Sequence, residues 1–374
     1  MDTDKRCGDE IIRVAVFGPG YGESIVINIP QVGWGVIDSC LKKVHNENIN
    51  PALRYLKQNN ASSIAFLILS HPHKDHYEGL DQIIDEYVGR IDRICYYSGD
   101  GIREYRDYLI RKEILDSPGF RSFSHLFKKF EEAKNKGSQI IRIAERTEIL
   151  RKKMCGGNSV EIFGLSPSAE SVEKYKKLLF EAIPKNEGDV FNFLTDSQHN
   201  LISAAIWCSV GNTRLILGSD VEIGEDDRTG WKGIVSNIDC PNLSARLIKV
   251  SHHGSSNAFF KPAWEKHSGE TKPVAVVTPY NKLADPLPRK TDLDLIAQYT
   301  DDIYITDKAK YQKQKKIYEP IVVKNTRGIR DWKCIIDDPN VGSVEIVLSM
   351  ETGSVQEYRI MEPAHKYAVG VGDS

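Results

Sequence analysis

The chain has 374 residues, of which 40% are apolar and 27% charged, and its formal net charge is −2. These proportions are ordinary for a globular protein and exclude a disordered or fibrous chain. The small net charge provides no general attraction for polyanions, so any nucleic-acid contact must depend on local patches. The longest apolar runs, such as residues 65–69, fall far short of the ~18 to 20 residues that span a bilayer. We therefore expect no membrane span.

The cysteines and the first residues bear on the compartment. Seven cysteines occur at irregular spacings without a CxxC pair, which favours free thiols in a reducing compartment. The first ten residues are rich in charge and lack the apolar segment of a secretory signal. We expect a cytoplasmic protein.

The first hundred residues predict a β-meander followed by alternating helices and strands. Short β-branched runs flank the glycine-rich turn Gly18–Gly22, and a helix beginning at Pro51 precedes a buried apolar strand. The predicted strands cover residues 11–17, 24–29, 36–38, 63–69 and 93–97, and the predicted helices cover residues 51–58 and 79–88.

Residues 100–135 interrupt this alternation with two amphipathic helical patterns, one with apolar residues at 102, 105, 109 and 114 and the other at 123, 126, 127, 130 and 133. We interpret them as a helical insertion that could cover the site or bind a protein partner. Later strands are predicted at 139–148, 159–164, 201–208, 213–217, 246–250, 274–277 and 303–305, with a helix at 171–183 and a β-hairpin at 342–360. We interpret residues 1–374 as one domain, with residues 310–374 as a C-terminal β-rich extension.

The strongest chemical signal is the run His71-Pro-His73-Lys-Asp75-His76, which directly follows the predicted strand 63–69. Three imidazoles and a carboxylate within six residues suit zinc or manganese with open positions for water. A pair of such ions makes hydroxide near neutral pH and holds the oxygens of the group under attack, so the pattern indicates a hydrolase. Asp75 is placed to orient the nucleophile or move protons.

Three further segments offer ligands near strand ends. Asp220 follows a predicted strand and Gly218, and its carboxylate could bridge two metals. The segment Ser251–Asn257 also follows a strand and contains His252 and His253. His199 precedes the strand at 201–208, and both a metal ligand and an ordinary surface histidine fit that position.

These motifs together resemble the metallo-β-lactamase superfamily, and are most similar to the soluble domain of the DNA-uptake competence protein and its stand-alone relatives. Beyond the histidine cluster, the matching runs are Pro19–Ser24 with Val36–Ser39, Asn200–Ser203 before Gly218–Asp220, and His252–Ser255. They occur in the family's order over residues 12–306. The resemblance implies an α/β fold, the αββα sandwich of two mixed β-sheets flanked by helices.

The resemblance also implies roles for individual residues. One divalent ion would be held by His71, His73 and His199, the other by Asp75, His76 and His253, with Asp220 bridging them. Asp38 and Asn200 would support the ligands from behind, and Asp75 would be catalytic together with His252. The residues implied to face the phosphate of the substrate are His252, Ser255 and Asn257. The sequence leaves open which of His252 and His253 is the ligand, and we favour His253.

Two departures from the family concern the substrate. Ser219 is inserted between Gly218 and Asp220, and Ala284-Asp-Pro286 replaces the relatives' Gly-His-Pro.

We predict a phosphodiesterase or nuclease that acts on nucleic acid or a smaller phosphodiester. The alternatives are hydrolysis of a carboxyl derivative, such as a lactone, thioester or β-lactam, on the same metals, and a binding module without enzyme activity.

Overall fold

A computed structural model of the protein describes residues 10–44, 47–97, 99, 118–183, 194–269, 271–308 and 341–368. Eighteen strands are present in these ranges: β1 Ile11–Phe17, β2 Ser24–Ile29, β3 Gly33–Ile37, β4 Lys42–Val44, β5 Glu47–Ile49, β6 Ile64–Ile68, β7 Arg93–Tyr96, β8 Gln139–Arg142, β9 Glu148–Lys153, β10 Ser159–Gly164, β11 Ile206–Val210, β12 Thr213–Leu217, β13 Leu247–Lys249, β14 Val274–Val277, β15 Asp302–Ile305, β16 Ser343–Ser349, β17 Val355–Met361 and β18 His365–Lys366.

The α-helices in the same ranges are α1 Pro51–Gln58, α2 Lys74–Tyr77, α3 Leu80–Tyr87, α4 Pro118–Asn135, α5 Ala169–Ala182, α6 Asp196–Asn200, α7 Gly230–Ser236, α8 Lys261–His267 and α9 Lys290–Ile296. In the described ranges, no helix combines the length and apolar character that crossing a membrane requires. The second helical pattern predicted between residues 100 and 135 corresponds to α4. The first pattern lies outside the described residues.

Most strands belong to two eight-stranded mixed sheets. The first has the order β17-β16-β1-β2-β3-β6-β7-β8 and the second the order β18-β15-β14-β13-β12-β11-β10-β9. In the first sheet β3, β6, β7 and β8 run parallel, and in the second β12 to β15 do. The remaining pairs within both sheets are antiparallel.

The alternating side chains of β1 show which face of the first sheet packs against the second sheet and which packs against helices. Ile12, Val14 and Val16 of β1 belong to a core shared with the second sheet, whereas Ala15 and Phe17 pack towards the helices on the outer face. Helices α1, α3 and α4 cover the first sheet, and α7, α8 and α9 cover the second. The predicted αββα sandwich of two mixed sheets is therefore confirmed.

The strand predicted over residues 139–148 is wrong in its extent. Residues 139–142 form β8 at the edge of the first sheet, and the next strand, β9, begins at Glu148 at the edge of the second sheet. Between them the chain crosses from one sheet to the other, with Arg146 in the left-handed region at φ 62°. Residues 143–147, Ile-Ala-Glu-Arg-Thr, contain no glycine or proline to mark the break.

Gly35 of β3 shows how closely the first sheet is packed. The ring of Phe66 on the neighbouring strand β6 lies over it, and a Cβ at residue 35 would come within 2.0 Å of that ring. Phe66 is itself fully buried, so the ring has no space to move aside.

We predict that Gly35→Ala destabilises the protein by about 1 to 3 kcal/mol, because the added methyl overpacks the core. Equilibrium unfolding in urea measures the loss. Lys128→Ala on the exposed face of α4 is the control and should change stability by less than about 0.5 kcal/mol. Equal stability of Gly35→Ala and wild type would contradict the packing described here.

Candidate metal centre

The carboxyl ends of strands from both sheets meet at one end of the sandwich. Asp38 follows β3 and His71 follows soon after β6 in the first sheet, while Asp220 follows β12 and His253 follows β13 in the second. Parallel neighbours deliver their carboxyl ends to the same edge, so residues distant in the chain are brought together there. The structure thus gathers most of the side chains that the sequence singled out.

Two groups of ligand atoms share one carboxylate. The ligand atoms of Asp75, His76, Asp220 and His253 lie within 4.8 Å of one another, and all four residues are buried. Those of His71, His73 and Asp220 form a second group by the same measure. Asp220 belongs to both groups.

Several buried atoms in the first group lack a hydrogen-bond partner. They are Nε2 of His76, Nε2 of His253 and Oδ1 of Asp220. His76 Nε2 lies 3.4 Å from Asp220 Oδ2, and His253 Nε2 lies 3.3 Å from Asp75 Oδ2, without hydrogen-bond geometry. Buried polar atoms normally have a partner, so this donor set fits a divalent cation.

Each of three histidines is oriented through its Nδ1. His76 Nδ1 lies 2.7 Å from Asp38 Oδ2, His253 Nδ1 lies 2.9 Å from the carbonyl oxygen of Thr278, and His71 Nδ1 lies 3.0 Å from Ser70 Oγ. A contact of this kind fixes the ring and leaves Nε2 as the nitrogen that could bind a metal. For His71 that nitrogen lies 3.0 Å from Nδ1 of His73.

Asp38 holds the histidine loop from behind. Besides His76, its carboxylate accepts hydrogen bonds from the Ser70 amide at 2.7 Å and the Ser70 hydroxyl at 2.6 Å. Asp38 itself adopts a left-handed conformation with φ 57°, which turns the chain at the end of β3 so that the carboxylate reaches the loop. The resemblance implied that Asp38 supports the ligands, and that role stays a prediction.

His252 and His253 point to different surroundings, although both have positive φ, 46° and 55°. His253 is buried in the group with Asp75, as we favoured from the sequence. His252 lies at the rim with its side chain 20% exposed, 3.0 Å from Asn257 Oδ1 and 3.5 Å from Glu222 Oε1. The geometry therefore makes His253 the candidate ligand, and the function of His252 stays a prediction.

Ser255 forms a hydrogen bond with another candidate residue, whereas His199 only lies near one. Ser255 is buried, and its amide donates to the carbonyl oxygen of His252. His199 lies outside the two groups. Its ring centroid is 5.5 Å from that of His73, and its Nδ1 lies 2.9 Å from the hydroxyl of Tyr175. Its ligand role stays a prediction.

Asn200 contacts Glu222 through a hydrogen bond of 2.9 Å rather than any residue of the two ligand groups. The Asp220 loop is contacted instead by Ser203, whose hydroxyl accepts from the Asp220 amide at 2.9 Å. Ser203 is the last residue of the motif Asn200–Ser203 quoted above, so the motif contained the signal.

Charges within the centre shift the pKa values of its members in opposite directions. Burial alone would lower the pKa of His76, but the carboxylates of Asp220 and Asp75 hold that pKa well above its usual value. The same balance raises the pKa of His253. Against its burial, the facing imidazoles hold the pKa of Asp220 well below its usual range. Burial and histidine neighbours lower the pKa of His71.

No protein-family model and no curated protein matches the chain. Among solved structures it is similar to the metallo-β-lactamase fold protein YhfI from Bacillus subtilis, at 11% identity and TM-score 0.38, over 79% of this chain and 95% of that chain. It is also similar to Igni18, a metallo hydrolase from Ignicoccus hospitalis, at 12% identity and TM-score 0.34, over 71% and 82% of the two chains.

Zinc-bound PqqB from Methylobacterium extorquens is similar at 12% identity and TM-score 0.31, over 63% of this chain and 71% of that chain. At these identities and scores, the likenesses say nothing about what this chain binds or does. The chemistry of the centre has to be argued from its own residues.

We predict that Asp38→Asn weakens metal binding about 10- to 100-fold, because it removes the charge that orients His76. Competition with a chromophoric chelator measures the affinity. Asp294→Asn, which neutralises a carboxylate on α9 paired with Lys290, is the matched control and should bind metal as wild type does. An unchanged affinity in Asp38→Asn would rule out its supporting role.

We predict that metal binding releases protons near neutral pH. Both His76 and His253 have raised pKa values in the metal-free protein, and an imidazole must be neutral to bind a metal. Affinity should therefore be lowest below the ordinary histidine pKa of about 6.5 and rise as pH increases through the raised values. Calorimetry in buffers of different ionisation enthalpy measures the proton count. Binding heat that is independent of the buffer would contradict this.

Proposed function

We propose that this protein is a metal-dependent hydrolase that cleaves phosphodiester bonds, as a nuclease or a phosphodiesterase. The observation that carries the proposal is the position of Asp220, whose carboxylate belongs to both groups of buried ligand atoms. A shared carboxylate between two histidine groups supports two divalent ions held side by side.

The residues fit zinc or manganese, because imidazole and carboxylate donors suit both ions. His71, His73 and Asp220 would hold one ion, with His199 as a further proposed ligand. Asp75, His76, His253 and Asp220 would hold the other. Two ions bound there would supply an acidified water and withdraw charge from the group under attack.

We assign to Asp75 the role of orienting the nucleophilic water. Its main-chain oxygen accepts from the Glu23 amide at 3.0 Å, which fixes the loop, and its Oδ2 lies 3.3 Å from His253 Nε2. The facing imidazoles lower the pKa of Asp75 despite its burial, so the carboxylate is ionised at neutral pH. An ionised carboxylate at this position can accept a hydrogen bond from a water molecule and orient it.

The rim of the centre favours an anionic substrate. His252 is held through Nδ1 by Asn257, which leaves Nε2 as the ring nitrogen that can contact a phosphate oxygen. Lys282 lies with its ammonium 3.0 Å from the ring centroid of Tyr21, and partial burial lowers the pKa of that ammonium. The ring of Tyr21 lies 5.3 Å from that of Tyr280, which in turn lies 5.0 Å from the ring of His253. The ammonium of Lys282 attracts a phosphodiester more than an uncharged lactone or thioester.

We predict that the zinc- or manganese-loaded protein hydrolyses bis-p-nitrophenyl phosphate or DNA, and that Asp75→Ala lowers kcat/KM by about 100-fold or more. Single-stranded and duplex DNA are tested separately, beside nitrocefin and a lactone. His125→Ala, on the exposed side of α4, is the control and should retain full activity. Turnover of nitrocefin or the lactone alone, or full activity of Asp75→Ala, would refute the proposal.

A further inference from the structure

Lys249 is a fully buried lysine beside the metal centre. It is the last residue of β13, its relative exposure is 0%, and it forms an ion pair with the carboxylate of Glu23, whose exposure is 1%. Lysine is almost never fully buried unless it is paired, because removing its charge from water is costly. The burial of this ion pair therefore points to a structural role near the centre.

Glu23 connects the loops that carry the proposed ligands. Its amide donates to the carbonyl oxygen of Asp75 at 3.0 Å, and its Oε2 accepts from the Thr278 hydroxyl at 2.8 Å. Thr278 in turn accepts the hydrogen bond of His253 Nδ1 through its carbonyl oxygen. Two of the loops that converge on the centre are thus held through one glutamate.

Lys249 reaches a third loop through its backbone. Its carbonyl oxygen accepts from the Gly218 amide at 3.0 Å, two residues before Asp220. The side chain of Lys249 fixes Glu23 while its main chain fixes the start of the Asp220 loop. The pair therefore touches the supports of both proposed metal positions.

The ammonium of Lys249 also lies beside a third group of ligand atoms, which could otherwise attract a cation. Ligand atoms of Glu23, Asp38 and His76 lie within 4.8 Å of one another. However, His76 Nδ1 is engaged by Asp38, and the carboxylate of Glu23 is engaged by the ammonium of Lys249. The lysine supplies the positive charge at this third group.

The charges of the buried side chains at the centre are consistent with this assignment. Four buried carboxylates, those of Glu23, Asp38, Asp75 and Asp220, surround the centre in the described part of the chain. Two divalent ions together with Lys249 would exceed their charge by one positive unit, which suits one anionic group in the site. Without Lys249 no such excess remains.

We propose that Glu23 and Lys249 are a positioning pair that sets the metal affinity of the centre. Lys249 neutralises Glu23, and Glu23 so neutralised holds the loops of Asp75 and His253 in place. The inference rests on the proposed metal centre. It assigns no contact between either residue and the substrate.

The test compares Lys249→Met, the double variant Glu23→Gln with Lys249→Met, and Lys366→Met. Zinc affinity is measured by chelator competition, and the absorption spectrum of the cobalt-loaded protein reports ligand geometry independently of activity. Lys366→Met is the matched control, because it breaks an ion pair with Asp302 that lies at the exposed edge of the second sheet.

Lys249→Met should weaken zinc binding about 10- to 100-fold and alter the cobalt spectrum, since Glu23 is left buried without its cation. The double variant should recover to within about threefold of wild type, because glutamine at position 23 keeps the Thr278 contact without an unpaired charge. Lys366→Met should match wild type.

Wild-type affinity in Lys249→Met would overturn the inference, and so would a double variant as impaired as Lys249→Met. If Lys249→Met does not fold, the double variant decides: near-wild-type affinity supports the pair, and a loss of tenfold or more refutes it. A wild-type protein that takes up no metal would refute the proposed function instead.

Discussion

The structure depends on enclosing several charged side chains of both signs at the end of a sandwich that is otherwise apolar. Carboxylates and imidazoles that are buried together must satisfy one another or bind a cation, since water no longer solvates them. Asp38 satisfies His76, Thr278 satisfies His253, and Lys249 satisfies Glu23. The polar atoms that remain without such a partner lie around Asp220, which belongs to both groups of ligand atoms. His76 Nε2, His253 Nε2 and Asp220 Oδ1 are the buried ligand atoms of the first group that lack a hydrogen-bond partner.

The sequence predicted the fold and most of this location, for a physical reason. Ligands that follow buried strands must emerge at a sheet edge, and strand runs such as residues 63–69 are identified by their composition alone. The dense run from His71 to His76 needs no tertiary information, because its donors are already adjacent. Asp220 and His253 are candidates because each follows a strand, but their assignment to particular metal ions came from the family resemblance, since a carboxylate or histidine after a strand has many ordinary uses.

Other features depended on contacts between distant segments and could not be predicted in this way. Glu23 falls within the matched run Pro19–Ser24 and Lys249 within the predicted strand 246–250, and their pairing is not predictable because it joins positions 226 residues apart. A lysine between Ile248 and Val250 of the predicted strand is nevertheless a signal. The break at residues 143–147 is not predictable because the segment contains no glycine or proline to mark the place where the chain changes sheets. The support role of Asn200 stays a prediction, and within its motif it is Ser203 that contacts the Asp220 amide.

The hairpin of β16 and β17 has a consequence for biosynthesis. β16 pairs along the full length of β1, joining Ile11 to Ser349, so the first sheet is completed by residues near the other end of the chain. While a ribosome is still adding the intervening residues, β1 presents an unpaired edge, and such edges recruit foreign strands. Closing a loop this long is also slow. Nascent chains of this protein should accordingly depend on chaperones until the hairpin emerges.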